Sequence, residues 1–130
     1  MKLYRAMREA ADGLPEVGPT ARTLGVRPGG STKSDVAAIN DQDPVAPGGG
    51  GMSTAPDDPR HLIRFRRPPS LGGTGDDPVW IIDVNDLDPD LAVHLDTPKH
   101  AVDEPIRPMT LQSFQAALAR TRDRWAVAYR

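Results

Sequence analysis

Apolar and polar residues are arranged in three segments of the chain with the patterns expected of β-strands. In residues 2–8 (KLYRAMR), alternate residues fall on opposite faces, which is the two-residue period of a strand. Residues 79–84 (VWIIDV) are almost continuously apolar, which predicts a strand buried on both faces. Residues 91–95 (LAVHL) alternate again, and their branched residues are predicted to face inward. The sequence therefore predicts a sheet that contains these three strands.

The last part of the chain, residues 110–129, carries an apolar stripe with helical spacing. The stripe consists of Leu111, Phe114, Leu118, Trp125 and Tyr129. Thr110 is expected to cap the start of this helix, because its hydroxyl can accept a hydrogen bond from a free backbone N–H. Strands, loops and a terminal helix follow one another without a βαβ repeat. We therefore predict one domain over residues 1–130, of the α+β class, with a compact, mostly antiparallel sheet, long Gly/Pro-rich loops and a C-terminal helix.

Composition and charge exclude several classes of function. The 12 glycines and 14 prolines among 130 residues predict a loop-rich domain with a modest core. The net charge of −2 gives no electrostatic reason to bind nucleic acid or an anionic membrane, so the basic stretch 64–67 (RFRR) is interpreted as a solvated strand edge. The absence of cysteine excludes disulfides and a thiolate nucleophile. Without an N-terminal apolar signal or a membrane-spanning run, the protein is expected in the cytoplasm, with export by a route that needs no cleaved signal left open.

The histidines are the first candidates for chemistry. His61, His94 and His100 lack the short spacings of metal ligands, so no metal site is expected. His100 precedes Asp103 and Glu104 in a segment that we predict to be a loop between a strand and the helix. Loops in such positions often carry function, although a solvated histidine is the simpler interpretation.

Two further features leave alternatives open. The glycine run in residues 46–56 (APGGGGMSTAP) has Met52 where a phosphate-binding loop needs lysine, so it is either a flexible connector or a loop whose backbone approaches a ligand. Arg5 shares the apolar face of its predicted strand. A charge in that position needs either an ion-pair partner or an anionic ligand.

Several short motifs, taken in order, resemble the small NAD-dependent cytotoxin family of type VI secretion effectors, whose fold is similar to that of ADP-ribosyltransferases. The motifs are Leu3-Tyr4-Arg5-Ala6, Ala46-Pro47 leading into Gly50-Gly51-Met52-Ser53, Pro89-Asp90-Leu91-Ala92-Val93 with Asp96, His100 with Pro105, Pro108-Met109, and a terminal helix ending near Trp125. Residues 14–34 and 59–78 have no counterpart in the family.

The resemblance implies a toxin that uses NAD as its substrate and needs no metal. It would cleave the bond between nicotinamide and ribose and transfer ADP-ribose to water or to a macromolecule. The implied cofactor-binding residues are Tyr4, Arg5, Gly50, Gly51, Met52 and Ser53. The implied catalytic residues are Ser53, His100 and Glu104, with Asp103 as the alternative to Glu104.

The resemblance also implies a partner and a rival interpretation. A toxin of this kind needs an immunity protein or antitoxin that covers its cleft. The chain departs from the family pattern at Met52, where a threonine is expected, and at Val45, where an aromatic residue is expected to stack on the nicotinamide ring. These departures favour the alternative that the domain is a catalytically inactive interaction module of the same fold. Nucleic-acid binding through the arginines of residues 64–67 is the third and weakest hypothesis.

Overall fold

Two antiparallel sheets and one α-helix make up the computed structural model, which describes residues 1–130. The strands are β1 (Lys2–Ala6), β2 (Pro44–Val45), β3 (Met52–Pro56), β4 (Val79–Asp83), β5 (Leu91–Thr97), β6 (His100–Pro105), β7 (Met109–Thr110) and β8 (Ala126–Tyr129). The α-helix is α1 (Leu111–Ala119), and 3₁₀ turns span Pro59–His61, Pro69–Leu71, Val84–Asp86 and Arg122–Arg124. Six strands form one sheet in the order β5-β6-β3-β1-β4-β8, and β2 pairs with β7. The predicted α+β class and mostly antiparallel sheet are confirmed.

The core lies between α1 and one face of the large sheet. Helix α1 buries Leu111, Phe114, Ala117 and Leu118. They join a cluster of 17 buried residues that includes, from the strands, Leu3, Met52, Trp80, Ile82, Leu91 and Ala101. Burial of these apolar side chains is the main force that holds the helix against the sheet. None of the helices is long and apolar enough to cross a membrane.

The predicted C-terminal helix is correct at its start and wrong at its end. The Thr110 hydroxyl accepts from the Ser113 N–H at 3.1 Å, as a helix cap does. The helix ends at Ala119 instead of continuing to residue 129. The Thr121 N–H and hydroxyl both donate to the Leu118 carbonyl, and a 3₁₀ turn over Arg122–Arg124 follows. Residues 126–129 then form β8 on the edge of the sheet, beside β4.

Two other local predictions are wrong. His100 does not lie in a loop, because it is the first residue of β6. The basic stretch 64–67 is not a strand edge, because residues 64–66 form a turn and residue 67 a bend. The strands predicted from residues 2–8, 79–84 and 91–95 are confirmed as β1, β4 and β5, although Leu95 faces solvent rather than the core.

Candidate functional site

A cleft lies where β1 and β3 stop pairing. The register between them covers Leu3↔Pro56 and Tyr4↔Ala55 and then ends. Beyond that point β3 pairs with β6 instead. The cleft has a volume of about 210 Å³, and it is bordered by Arg5, Ser53 and His100 and, on its other wall, by residues 61–63, 65 and 66. Three of the residues implied by the resemblance therefore face the same cavity.

The Arg5 side chain is buried beside this cleft and holds two backbone segments together. Its guanidinium donates hydrogen bonds to the main-chain carbonyls of Thr23 (2.8 and 3.2 Å), Ser53 (2.8 Å), Thr20 (3.3 Å) and Gly25 (3.4 Å). Burial lowers the pKa of Arg5 to about 10, so the side chain stays charged at neutral pH. Its partners are carbonyl oxygens rather than a carboxylate. Arg5 thereby fixes the backbone of Ser53 against the loop formed by residues 20–25.

Ser53, His100 and Asp96 form a hydrogen-bonded chain at the rim of the cleft. The distance between Ser53 Oγ and His100 Nε2 is 3.2 Å, and His100 Nδ1 lies 2.7 and 2.8 Å from the two carboxylate oxygens of Asp96. In the neutral tautomer whose Nδ1–H donates to Asp96, the unprotonated Nε2 can accept a hydrogen bond from the Ser53 hydroxyl. Partial burial acts to raise the pKa of Asp96, but the hydrogen bond and charge of His100 outweigh it and hold that pKa below its usual value.

The β5–β6 hairpin creates this arrangement. The two strands are joined by a two-residue turn, Pro98-Lys99, and their register shifts between Leu95 and Thr97. The irregularity lies at Asp96, whose carboxylate reaches the His100 ring. Ser53 comes to the same place because β3 pairs with β6 in the register Ser53↔Val102. Sequence reasoning assigned Asp96 no role, although the hairpin pattern DTPKH was a usable signal.

The glycine run is packed against the protein rather than against the cleft. A Cβ at Gly50 would overlap the Asp35 carbonyl oxygen, and a Cβ at Gly51 would overlap the Asp103 carbonyl oxygen. Gly50 also has a φ of +95°, which favours glycine. The next residue, Met52, is 1% exposed and belongs to the hydrophobic core. The structure thus gives these glycines a packing role, and it places the Met52 side chain away from the cleft.

The remaining residues implied by the resemblance also lie outside the cleft lining. Glu104 accepts a hydrogen bond from the Gly48 N–H at 2.8 Å, and four residues of strand put it about 13 Å from His100. Asp103 is fully buried on the opposite face of β6, and neither of its carboxylate oxygens has a hydrogen-bond partner. Burial raises the pKa of Asp103 to about 7, opposed by the charge of Arg5. Tyr4 is half-buried on β1.

Sequence reasoning considered His61 and the basic stretch 64–67 but did not place them at the cleft, where they form part of its second wall. This wall comes from residues 61–66, in a segment without a family counterpart, and includes His61, Leu62, Ile63, Phe65 and Arg66. The cleft also contains an ion pair between Arg27 and Asp35, with a shortest separation of 3.0 Å. No group of three or more side chains suited to hold a metal ion occurs.

Comparison of the chain with protein-family models, with curated proteins and with solved structures found no match.

Proposed function

We propose that this protein is an NAD-consuming bacterial toxin that breaks the bond between nicotinamide and ribose. It transfers ADP-ribose to water or to an acceptor macromolecule. The observation that carries the proposal is the 3.2 Å approach of Ser53 to His100. These residues come from separate motifs 47 positions apart, and both motifs resemble the same toxin family. The likeness to the ADP-ribosyltransferase fold is part of this proposal. It is supported by the cleft at the point where the antiparallel strands β1 and β3 stop pairing.

The cleft suits one end of the dinucleotide. Its volume of about 210 Å³ is below the ~300–1,000 Å³ of pockets that enclose a drug-sized ligand. The nicotinamide riboside end therefore occupies the cleft, and the rest of the molecule lies across its opening. The Ser53 backbone is fixed by the hydrogen bond that its carbonyl accepts from Arg5, and its hydroxyl faces this end of the substrate. Orientation of the reacting ribose by fixed groups is a major source of rate enhancement.

The chemistry requires a base for the acceptor. When nicotinamide leaves as a neutral molecule, positive charge develops on the ribose, and a water or acceptor hydroxyl attacks its anomeric carbon. His100 Nε2 accepts the proton released by that nucleophile, and the Asp96 carboxylate stabilises the imidazolium that results. With water as acceptor, NAD⁺ and water give nicotinamide, ADP-ribose and a proton. We assign the carboxylate role to Asp96, acting through His100, because Glu104 lies outside the cleft lining.

The test uses purified protein and NAD labelled in its adenylate half, with and without cell lysate. Free nicotinamide and label transferred to macromolecules are both followed. Nicotinamide release without lysate identifies a glycohydrolase, and label transfer that needs lysate identifies a transferase. Ser53→Ala is expected to abolish either product, and Ser70→Ala, at an exposed serine outside the cleft, is the matched control. If folded protein yields neither product, the proposal is overturned and the inactive interaction module is favoured.

A second candidate function is hydrolysis of esters. The hydrogen-bonded order Ser53–His100–Asp96 is that of serine hydrolases. Ser53 Oγ would attack the carbonyl carbon while its proton passes to His100 and then to the leaving alcohol, and water would release the acid and restore the serine. Labelling of Ser53 by a fluorophosphonate, absent in Ser53→Ala, together with no cleavage of NAD, would select this function.

The proposed toxin needs a partner in the cell that makes it. We propose that an immunity protein or antitoxin covers the cleft and that it contacts Ile63 and Phe65 on the outer wall. These two apolar side chains are 56% and 60% exposed. Such a pair provides the apolar anchor that protein interfaces favour.

A further inference from the structure

Arg66 is the cleft arginine that has no acceptor within the protein. Arg5 donates to main-chain carbonyls, and Arg27 is paired with Asp35. The guanidinium of Arg66 contacts the ring of Phe65, with 5.3 Å between its central carbon and the ring centroid, and makes no hydrogen bond or ion pair. Because Arg66 is half-buried and makes no hydrogen bond within the protein, its guanidinium is free to bind an anionic ligand.

One carboxylate, Asp77, and two further arginines, Arg22 and Arg27, act on Arg66. Burial lowers the pKa of Arg66, the charge of Asp77 opposes this, and the cations Arg22 and Arg27 lower the pKa further. Asp77 is itself bound by Arg22, with oxygen–nitrogen distances of 2.6 and 2.7 Å. Because Asp77 is paired with Arg22 and Asp35 with Arg27, the charge of Arg66 is left to attract an anionic ligand.

The loop that carries Arg66 is already closed on itself. The Thr74 N–H donates to the Arg64 carbonyl at 2.9 Å, and the Gly75 N–H donates to the Arg67 carbonyl at 2.7 Å. At Gly73 a Cβ would come as close as 2.5 Å to the Arg67 side chain and would overlap its carbonyl, so glycine is needed for the loop to close. Because the loop is held by these bonds, little further ordering is needed when a ligand binds.

We propose that Arg66 binds a phosphate group at the cleft, and that the ligand is a diphosphate ester. The planar guanidinium matches phosphate oxygens, and Arg66 lines the same cleft as Ser53 and His100. The identification of this diphosphate with that of NAD rests on the proposed function. The anion site itself does not, because inorganic pyrophosphate or ADP would satisfy Arg66 equally.

The test measures binding of inorganic pyrophosphate, ADP and adenosine by calorimetry at fixed ionic strength. Arg66→Gln is expected to lower the affinity for pyrophosphate and for ADP at least about tenfold, because a charge-assisted hydrogen bond is lost. Any binding of adenosine is expected to stay unchanged. Arg64→Gln is the matched control, because Arg64 is exposed, lies two residues away and is absent from the cleft. Arg66→Lys, which keeps the charge and loses the fork, is expected to give an intermediate affinity. Circular dichroism verifies that each variant is folded.

The outcomes separate this inference from the proposed function. Equal losses in Arg64→Gln and Arg66→Gln, or no loss in Arg66→Gln, would overturn the phosphate site. If NAD is cleaved and Arg66→Gln leaves its KM unchanged, the NAD function stands without a role for Arg66. If pyrophosphate binding depends on Arg66 and NAD is not cleaved, the phosphate site stands and the ligand is a different diphosphate. A rise in KM for NAD with unchanged kcat supports both proposals.

Discussion

At the scale of single residues, the Asp96 carboxylate determines which nitrogen of His100 can act as a base. Asp96→Asn removes the charge that stabilises the imidazolium and allows the ring to adopt the other tautomer. Because the pair is only partly shielded from water, with side chains 47% and 42% exposed, we expect kcat for NAD cleavage to fall about 10- to 100-fold.

Glu104→Gln is the control for Asp96→Asn. It changes a carboxylate that bonds to Gly48 away from the cleft lining, so kcat is expected to stay within about twofold of the wild type. A larger loss from Glu104→Gln than from Asp96→Asn would restore the carboxylate role that the sequence resemblance gives to Glu104.

The buried Asp103 predicts a dependence of stability on pH. Its pKa in the folded protein is raised to about 7. Between about pH 4 and 7, Asp103 therefore keeps its proton in the folded state and has lost it in the unfolded state. Stability from this group is therefore present at low pH and lost as the pH rises toward and through 7, by about 2.5 kcal/mol between pH 5 and 8. Urea unfolding at both pH values measures the loss. Asp103→Asn is expected to reduce it, and an equal loss in both proteins would refute this role for Asp103.

Sequence reasoning identified Ser53 and His100 because each occurs in a short motif that can be recognised from the sequence alone. It included Asp96 in a motif but assigned it no role, because its approach to His100 depends on an irregularity in the hairpin register. It selected Asp103 and Glu104 because they follow His100 closely in the sequence. In a strand, successive side chains alternate between faces and rise about 3.3 Å per residue, so closeness in sequence is a poor guide to a shared site.

At the scale of elements, the glycine run makes a clear prediction about packing. Gly48 and Gly50 both have positive φ, of +82° and +95°, but only at Gly50 would a Cβ meet a backbone carbonyl. Gly48→Ala is therefore expected to cost about 1 kcal/mol from backbone strain, and Gly50→Ala roughly 1–3 kcal/mol more from overlap. Denaturant midpoints of the two variants measure the difference. Equal midpoints would show that this run is a flexible connector in solution.

The elements that could be predicted are those whose pattern allows one structure. The strand predicted from the apolar run at residues 79–84 is confirmed as β4, which lies between β1 and β8. The stripe at 110–129 misled because a seven-residue step from Leu118 to Trp125 fits a helix and also fits a turn followed by a buried tryptophan. The Trp125 indole donates to the Thr121 hydroxyl at 3.0 Å, and this tertiary contact is invisible in the periodicity.

At the scale of the whole molecule, the cleft joins parts of the chain that have little else in common. Its floor comes from the N-terminal strand and β3, its rim from the β5–β6 hairpin, and its wall from residues 61–66. The resemblance covers the floor and the rim, where the proposed reaction takes place. The wall, which has no counterpart in the family, carries the exposed apolar pair and the unpaired arginine. We therefore expect catalysis to depend on the shared strands, and affinity and partner choice to depend on the wall.

Growth of bacteria that express the protein tests the proposed function in a cell. The wild type is expected to arrest growth, because NAD loss or ADP-ribosylation in the cytosol is toxic, and Ser53→Ala and His100→Ala are expected to relieve the arrest. Relief is meaningful only if both variants are produced at the wild-type level with melting temperatures within a few degrees of it. NAD measured in the same cultures distinguishes the routes, since arrest with falling NAD indicates hydrolysis and arrest at constant NAD indicates modification of an acceptor. If folded Ser53→Ala and His100→Ala arrest growth as strongly as the wild type, the cleft is not the origin of toxicity, and a surface such as the apolar pair on the wall becomes the site to examine.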